Sequence, residues 1–210
     1  MTGNNNGFSI IIFVAAAALF LWGCASSGQK FIHLDFQHPI SKTRSGRVGI
    51  EPFQDKRQNM GPGYLGYRTL LDNSRETFFV TGLDLSRSLT HVTSQYIQAC
   101  GFDTEETSFE HTPEGVGQSS TNFTYILAGQ INDLEYTAVK KAGRTHVGLV
   151  IDLTLYLGEP ATATLKTIPV SMTLDQVAFN LDRKKVEEML NQSIQEVLVK
   201  SLALDTPAAE

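Results

Sequence analysis

The residues Val147, Leu149, Ile151, Leu153, Leu155 and Leu157 occupy every second position of one stretch, with His146, Gly148, Val150, Asp152, Thr154 and Tyr156 between them. A period of two belongs to an extended chain, whose successive side chains leave on opposite faces. A helix would scatter the same apolar residues around its circumference, so this stretch is a strand with one buried face. Such a face needs further strands or a helix to cover it. The flanking segments supply strands. Tyr125 to Tyr136 is rich in Ile, Leu and Tyr, and beyond a turn at Glu159-Pro160-Ala161 the residues Ile168, Val170, Met172 and Leu174 alternate again. Val177 and Phe179 then change phase, which predicts a bulge. Lys140-Lys141-Ala142-Gly143-Arg144 is a basic hairpin tip between the first two strands of this meander.

Helices come from a different repeat. From about Asp182, the residues Val186, Met189, Leu190, Ile194, Val197, Leu198 and Leu202 form one stripe, and Lys184, Lys185, Glu187, Glu188, Gln195 and Glu196 hold the other face. A Lys184 to Glu188 pair contributes only about 0.2 to 0.5 kcal/mol, so apolar burial fixes this helix. An earlier helix follows the capping pattern Thr81-Gly82-Leu83-Asp84, with Leu85, Leu89, Val92, Tyr96 and Cys100 on its stripe. Gly101 stops it and Phe102 folds back on the last turn.

The remaining segments are less regular. Phe31 to Phe36 alternates as a short edge strand ended by Pro39, Ser41 to Gly46 is a loop, and Arg47 to Phe53 has a compact β pattern with Pro52 near its end. Gln54 to Thr77 reads as a long loop, Phe102 to Thr107 as a short strand and Ser108 to Asn122 as a second mobile loop. These elements predict an α+β fold: a mostly antiparallel sheet of about four to five strands with two long helices packed on one face. The expected division is a signal peptide over residues 1–23, a lipidated cysteine, tether and edge strand over 24–46, one domain over 47–205, and a tail over 206–210.

Candidate chemistry is sparse. His33, His38, His91, His111 and His146 show no metal-ligand spacing, so no metal site is expected. No G-x-S-x-G elbow accompanies the serines, and Cys100 sits on a helix stripe as a small hydrophobe. Gly61-Pro62-Gly63-Tyr64-Leu65-Gly66 spells a dinucleotide fingerprint, but lacks the preceding strand and following helix that cradle pyrophosphate; these are glycine-rich turns, and no cofactor is expected. Asp55, Glu76 and Glu110 are loop carboxylates that nothing pairs for work on glycans. Catalytic residues are therefore not assigned. Tyr64, Tyr67 and Arg68, together with Lys140, Lys141 and Arg144, are the candidate partner contacts, because Tyr and Arg make good anchors. The net charge of -5 argues against a nucleic-acid or anionic-lipid surface.

The beginning of the chain tells where it works. Phe8 to Trp22 carries no charged or amide side chain; this is short for a bilayer span and suits a signal-peptide core. Gly23 then precedes Cys24, and Ala25-Ser26-Ser27-Gly28 reads as a flexible tether. Leu21, Gly23 and Cys24 resemble the lipobox of bacterial lipoproteins. That resemblance implies a diacylglycerol on the Cys24 thiol, cleavage just before it and acylation of the new amino terminus. Ala25, where Asp would favour inner-membrane retention, implies the periplasmic face of the outer membrane. An uncleaved anchor helix and a non-lipidated secretory signal are the alternatives. With Cys24 lipidated, Cys100 has no disulfide partner.

Behind the lipobox, the order of strand, loop, helix closing at Gly101-Phe102, three-stranded meander and last helix is similar to the YajG type of small bacterial lipoprotein, and more distantly to transport-auxiliary lipoproteins. The likeness spans Val48 to Leu204. It implies helices packed on one sheet face and no catalytic residues. The expected function is a membrane-tethered, non-catalytic module that binds an envelope protein partner; the alternative is an enzyme acting on peptidoglycan or another envelope glycan.

Overall fold

A computed structural model describes residues 28–204 apart from 38, 41–43, 83 and 120. The signal peptide, Cys24, the residues 25–27 of the tether and the 206–210 tail lie outside the described residues, as does His38. In chain order the elements are β1 (Gln29–Ile32), β2 (Arg47–Ile50), β3 (Gln54–Asp55), β4 (Tyr64–Thr69), β5 (Arg75–Val80), α1 (Leu85–Cys100) and β6 (Asp103–Glu106). They continue with α2 (Pro113–Gln118), β7 (Tyr125–Lys141), β8 (Arg144–Glu159), β9 (Thr164–Ala178) and α3 (Arg183–Leu202).

The meander of β7, β8 and β9 forms as its alternation demands. Val147, Leu149, Ile151, Leu153 and Leu155 are buried, and the β8–β9 register runs unbroken from Thr145 opposite Ala178 to Glu159 opposite Thr164. The bulge expected near Val177 is therefore absent. The change of phase turns Val177 and Phe179 outward to solvent instead. Register shifts occur elsewhere, between Ile131 and Asp133 in β7 and between Tyr64 and Gly66 in β4.

The expected sheet is overturned. Among the described residues nine strands form one mixed sheet, ordered β1-β5-β4-β7-β2-β6 with β3, β8 and β9 attached through β7 and β8. It curls into a half-barrel with helices of only 16, 6 and 20 residues, in place of a mostly antiparallel sheet carrying two long helices on one face. The physical reason is the length of β7. Its 17 residues outrun any one neighbour: one edge pairs antiparallel with β8, while the other takes β2, β3 and β4 in succession, all parallel. Right-handed twist accumulates along so long a strand and curls the sheet.

The long loop expected over Gln54 to Thr77 is likewise corrected. It contains β3 and β4 and enters β5, with β4 and β5 joined as an antiparallel hairpin. The mobile loop expected over Ser108 to Asn122 contains α2, whose buried Val116 packs with Phe123 and Ile126 in a small second cluster. β1 lies at one end of the sheet order, as an edge strand should, with Ile32 and Leu34 buried.

Helix boundaries follow their caps. The Asp84 carboxylate accepts from the Arg87 amide at 2.8 Å, and Gly101 closes α1 at φ 108° while the Phe102 amide donates back to the Ile97 carbonyl at 3.3 Å. Asp182 caps α3 by accepting from the Lys185 amide at 2.9 Å. The apolar stripes of both helices enter the main core, where Leu89, Tyr96, Leu190 and Leu198 join Leu149 and Ile151 of β8. Cys100 is buried among them.

Candidate functional site

The β4–β5 hairpin places Tyr64, Tyr67 and Arg68 on an ordered strand, but gives them different tasks. Arg68 is tied down. Its Nε donates to the Glu76 carboxylate at 2.8 Å, a second nitrogen reaches the same oxygen, and Nη1 donates to the Leu181 carbonyl. The guanidinium thus joins β4, β5 and the approach to α3. Tyr64 is half-buried, lies edge-on to Phe79 with ring centroids 6.0 Å apart, and points its hydroxyl at Glu135 from 3.5 Å. Burial, then the Glu135 charge, push its phenol above the usual range. Tyr67 carries the Arg75 guanidinium over its ring at 4.6 Å.

Tyr64 also belongs to an aromatic row that periodicity did not bring out. Phe31 of β1 packs against Phe79 of β5 at 6.3 Å, and Phe79 against Tyr64. Phe31 is half exposed, at 49%. The signal was present in the alternation of Phe31 with Ile32: the residue out of phase with the buried set faces outward.

A second cation missed in sequence is Arg57. Its side chain is 2% exposed, clasps Asp55 with Nε at 3.0 Å and Nη2 at 2.8 Å, and gives Nη1 to the carbonyls of Tyr64 and Leu134. Partial burial raises the Asp55 pKa, but the hydrogen bonds and charge of Arg57 outweigh it and hold the carboxyl below its ordinary value. This pair fastens β3 and β4 to β7; its donors are spent within the fold.

Lys140, Lys141 and Arg144 form the tip of the β7–β8 hairpin as expected, with Lys141 opposite Arg144 around a two-residue turn. All three are exposed, and no carboxylate among the described residues lies within ion-pair distance of them. An open groove of about 580 Å³ lies between α1 and the β2–β6 edge, lined by Pro52, Arg87, His91, Ser94, Glu105 and Glu106 among others.

The loop carboxylates are dispersed by the fold. Asp55 serves Arg57, Glu76 serves Arg68, and Glu110 stands before α2, where its backbone carbonyl accepts from Thr112. Of the histidines, His111 stacks on Tyr156 with centroids 4.5 Å apart and places Nε2 3.2 Å from Glu51. Glu51 also accepts from the Phe109 amide at 3.3 Å, so this contact staples the 107–112 segment to the sheet. No group of three or more metal-ligating side chains occurs among the described residues.

No protein-family model matches the chain. No curated protein matches it. The fold is shared with a solved structure from Xanthomonas campestris described as belonging to DUF330, at TM-score 0.51 and 10% identity over 84% of this chain and 94% of that one. A second solved structure, of an uncharacterized protein, aligns at TM-score 0.52 and 12% identity over 82% of this chain and 95% of that one. A lipoprotein from Neisseria meningitidis aligns at TM-score 0.38 and 8% identity over 74% of this chain and 99% of that one. These likenesses concern the fold alone.

Proposed function

We propose that this chain is a lipid-anchored protein on the periplasmic face of the outer membrane, of the YajG type, acting as a non-catalytic binding or assembly module of the envelope. One observation carries the reading: an uncharged apolar run from Phe8 ends at Gly23-Cys24, with Ala25 next and only a short polar tether before β1 begins at Gln29. A single acyl chain holds a protein reversibly, whereas several make the attachment durable. A protein held in this way works by presenting a surface. The outward aromatic row of Phe31, Phe79 and Tyr64, beside Tyr67 with its Arg75, is the contact we assign to the protein partner; large rigid rings offer area at low entropic cost.

Radiolabelled palmitate should enter the wild type and not Cys24→Ser, which should accumulate as unprocessed precursor. Equal labelling of both would end the lipoprotein reading. For the contact, crosslinking in intact envelopes should capture fewer partners with the double variant Phe31→Ala, Tyr64→Ala. Arg68 is left untouched because its replacement would remove the bonds to Glu76 and the Leu181 carbonyl and loosen three elements at once. Unchanged capture at equal abundance would remove the aromatic row from the interface.

A further inference from the structure

Strand directions bring the start of the described chain and the basic hairpin tip to one end of the half-barrel. β1 runs parallel to β5, with Gln29 opposite Thr77; β5 is antiparallel to β4, with Thr77 opposite Tyr67; β4 is parallel to β7, with Tyr67 opposite Thr137. Gln29 is therefore level with Thr137, a few residues before the tip at Lys140, and Gly28 precedes it on the side of that tip. The β4–β5 turn lies at the same end, since Thr69 pairs with both Arg75 and Val139. So does the end of β9, where Ala178 pairs with Thr145, leading through Phe179 into the first turn of α3.

The surface collected there has a composition of its own. Large apolar side chains stand in solvent: Phe179 at 68% exposure, Leu71 at 61%, Val177 at 46% and Val139 at 43%. Val139 and Val177 flank His146 in one cross-strand row. Around them are Lys140, Lys141, Arg144 and Lys185, whose charged heads have no acidic partner among the described residues. Arg183 and Lys184 add charge, though each has a Glu one turn on. The acidic residues at this end are Asp72, engaged with Ser74, Asp182, which caps α3, and Asp175, two residues before Val177 on the same face of β9. Exposed apolar side chains ringed by unpaired cations are the chemistry of a surface that meets anionic headgroups and inserts shallowly between them.

We infer that this end of the protein docks flat on an anionic phospholipid surface, with Lys140, Lys141, Arg144 and Lys185 on the headgroups and Phe179 and Leu71 in the interface. The inference rests on the lipid anchor proposed above. Cys24 precedes Gly28 by four residues, a reach of roughly 14 Å when extended, so the anchor delivers the bilayer to this end. Docking then fixes which way the aromatic row and the α1 groove face.

The test uses the full acylated chain in vesicles of phosphatidylethanolamine with phosphatidylglycerol, and in phosphatidylcholine vesicles for comparison. A fluorophore is attached at Ala142→Cys on the tip or at Glu106→Cys on β6, and nitroxide-labelled lipid is the quencher. Quenching is expected at 142 and not at 106, and only with phosphatidylglycerol present. Each cation near such a surface is worth about five-fold in partitioning, so Lys140→Gln, Lys141→Gln and Arg144→Gln together should weaken tip association about 100-fold. These exposed substitutions leave the core untouched. Phe179→Ser should reduce quenching at 142 while the protein still floats with the vesicles. If the protein floats but 142 and 106 are equally unquenched, the docking face is wrong and the anchor stands; this is also the result if the cations serve an acidic protein. If acylation fails yet quenching at 142 still follows phosphatidylglycerol, the anchor is wrong and the face is right. Quenching at 142 that is indifferent to phosphatidylglycerol overturns the electrostatic part of the inference.

Discussion

Replacing Gly66 by Ala tests whether the glycine spelling around Gly61, Gly63 and Gly66 is a device of packing. Gly66 sits at the register shift in β4 with φ 143°, a region closed to ordinary side chains. A Cβ there would lie 1.7 Å from the Tyr136 carbonyl oxygen, 2.6 Å from its carbon and 2.8 Å from its nitrogen, all backbone atoms of β7. Nothing flexible can give way. The backbone conformation alone costs about 1 to 3 kcal/mol. Relieving the overlap requires β4 to withdraw from β7 over the Gly66 to Thr69 pairing, which loosens further hydrogen bonds at about 1 kcal/mol each. The sum is at least about 3 kcal/mol, a large part of the 5 to 15 kcal/mol typical of a domain. With a urea slope of about 2 kcal/mol per molar, the unfolding midpoint should fall by about 1.5 M. Gly61→Ala is the control: no atom lies within 4 Å of its Cβ, so the midpoint should stay or rise slightly. Should Gly66→Ala unfold within about 0.3 M of the wild type, the close β4–β7 approach and the structural role of this glycine are both refuted.

Leu198 is 1% exposed among sheet and helix residues, so Leu198→Ala should lower stability by about 2 to 5 kcal/mol; an unchanged thermal midpoint would place it outside the core. Asp55→Asn should cost about 1 to 3 kcal/mol near neutral pH, because it removes a charge-assisted partner from the buried Arg57. The Asp55 pKa is lowered by folding from 3.8, so its contribution is complete above that value and lost as pH falls through the lower folded one. The gap between wild type and Asp55→Asn in chemical denaturation should therefore narrow below about pH 4, and a gap constant across acid pH would show that the carboxylate charge is not what binds Arg57.

What was legible in the sequence is what repeats for long enough. The stripes of α1 and α3 and the alternation of β8 each run several periods, and the residues they nominate are buried except Met189 and Leu157, which are half-buried against the same core. Strands of two to six residues, such as β3 and β4, complete too few periods to announce themselves, so Gln54 to Thr77 read as a loop. Their existence depends on β7, whose second edge supplies partners that no local pattern encodes. The site suffered the same loss. Tyr64 and Arg68 stood out by residue type, but only pairing reveals that Glu76 and the Leu181 carbonyl occupy Arg68, or that Phe79 joins Tyr64 to Phe31.

Net charge leaves patches unread for a related reason. A total of -5 argues against an anionic partner only if the charges are mixed over the surface, and a sum over the chain carries no positions. The positions come from the parity of strand directions. Between β1 and β7 the sheet makes one antiparallel step, at β4–β5, and two parallel ones, so β1 begins where β7 ends. Had β4 met β7 antiparallel, the tether would leave from the opposite end to Lys140, Lys141 and Arg144. The same mixed pairing that defeats the expectation of a simple antiparallel sheet thus decides that the start of β1 and the basic tip share one end.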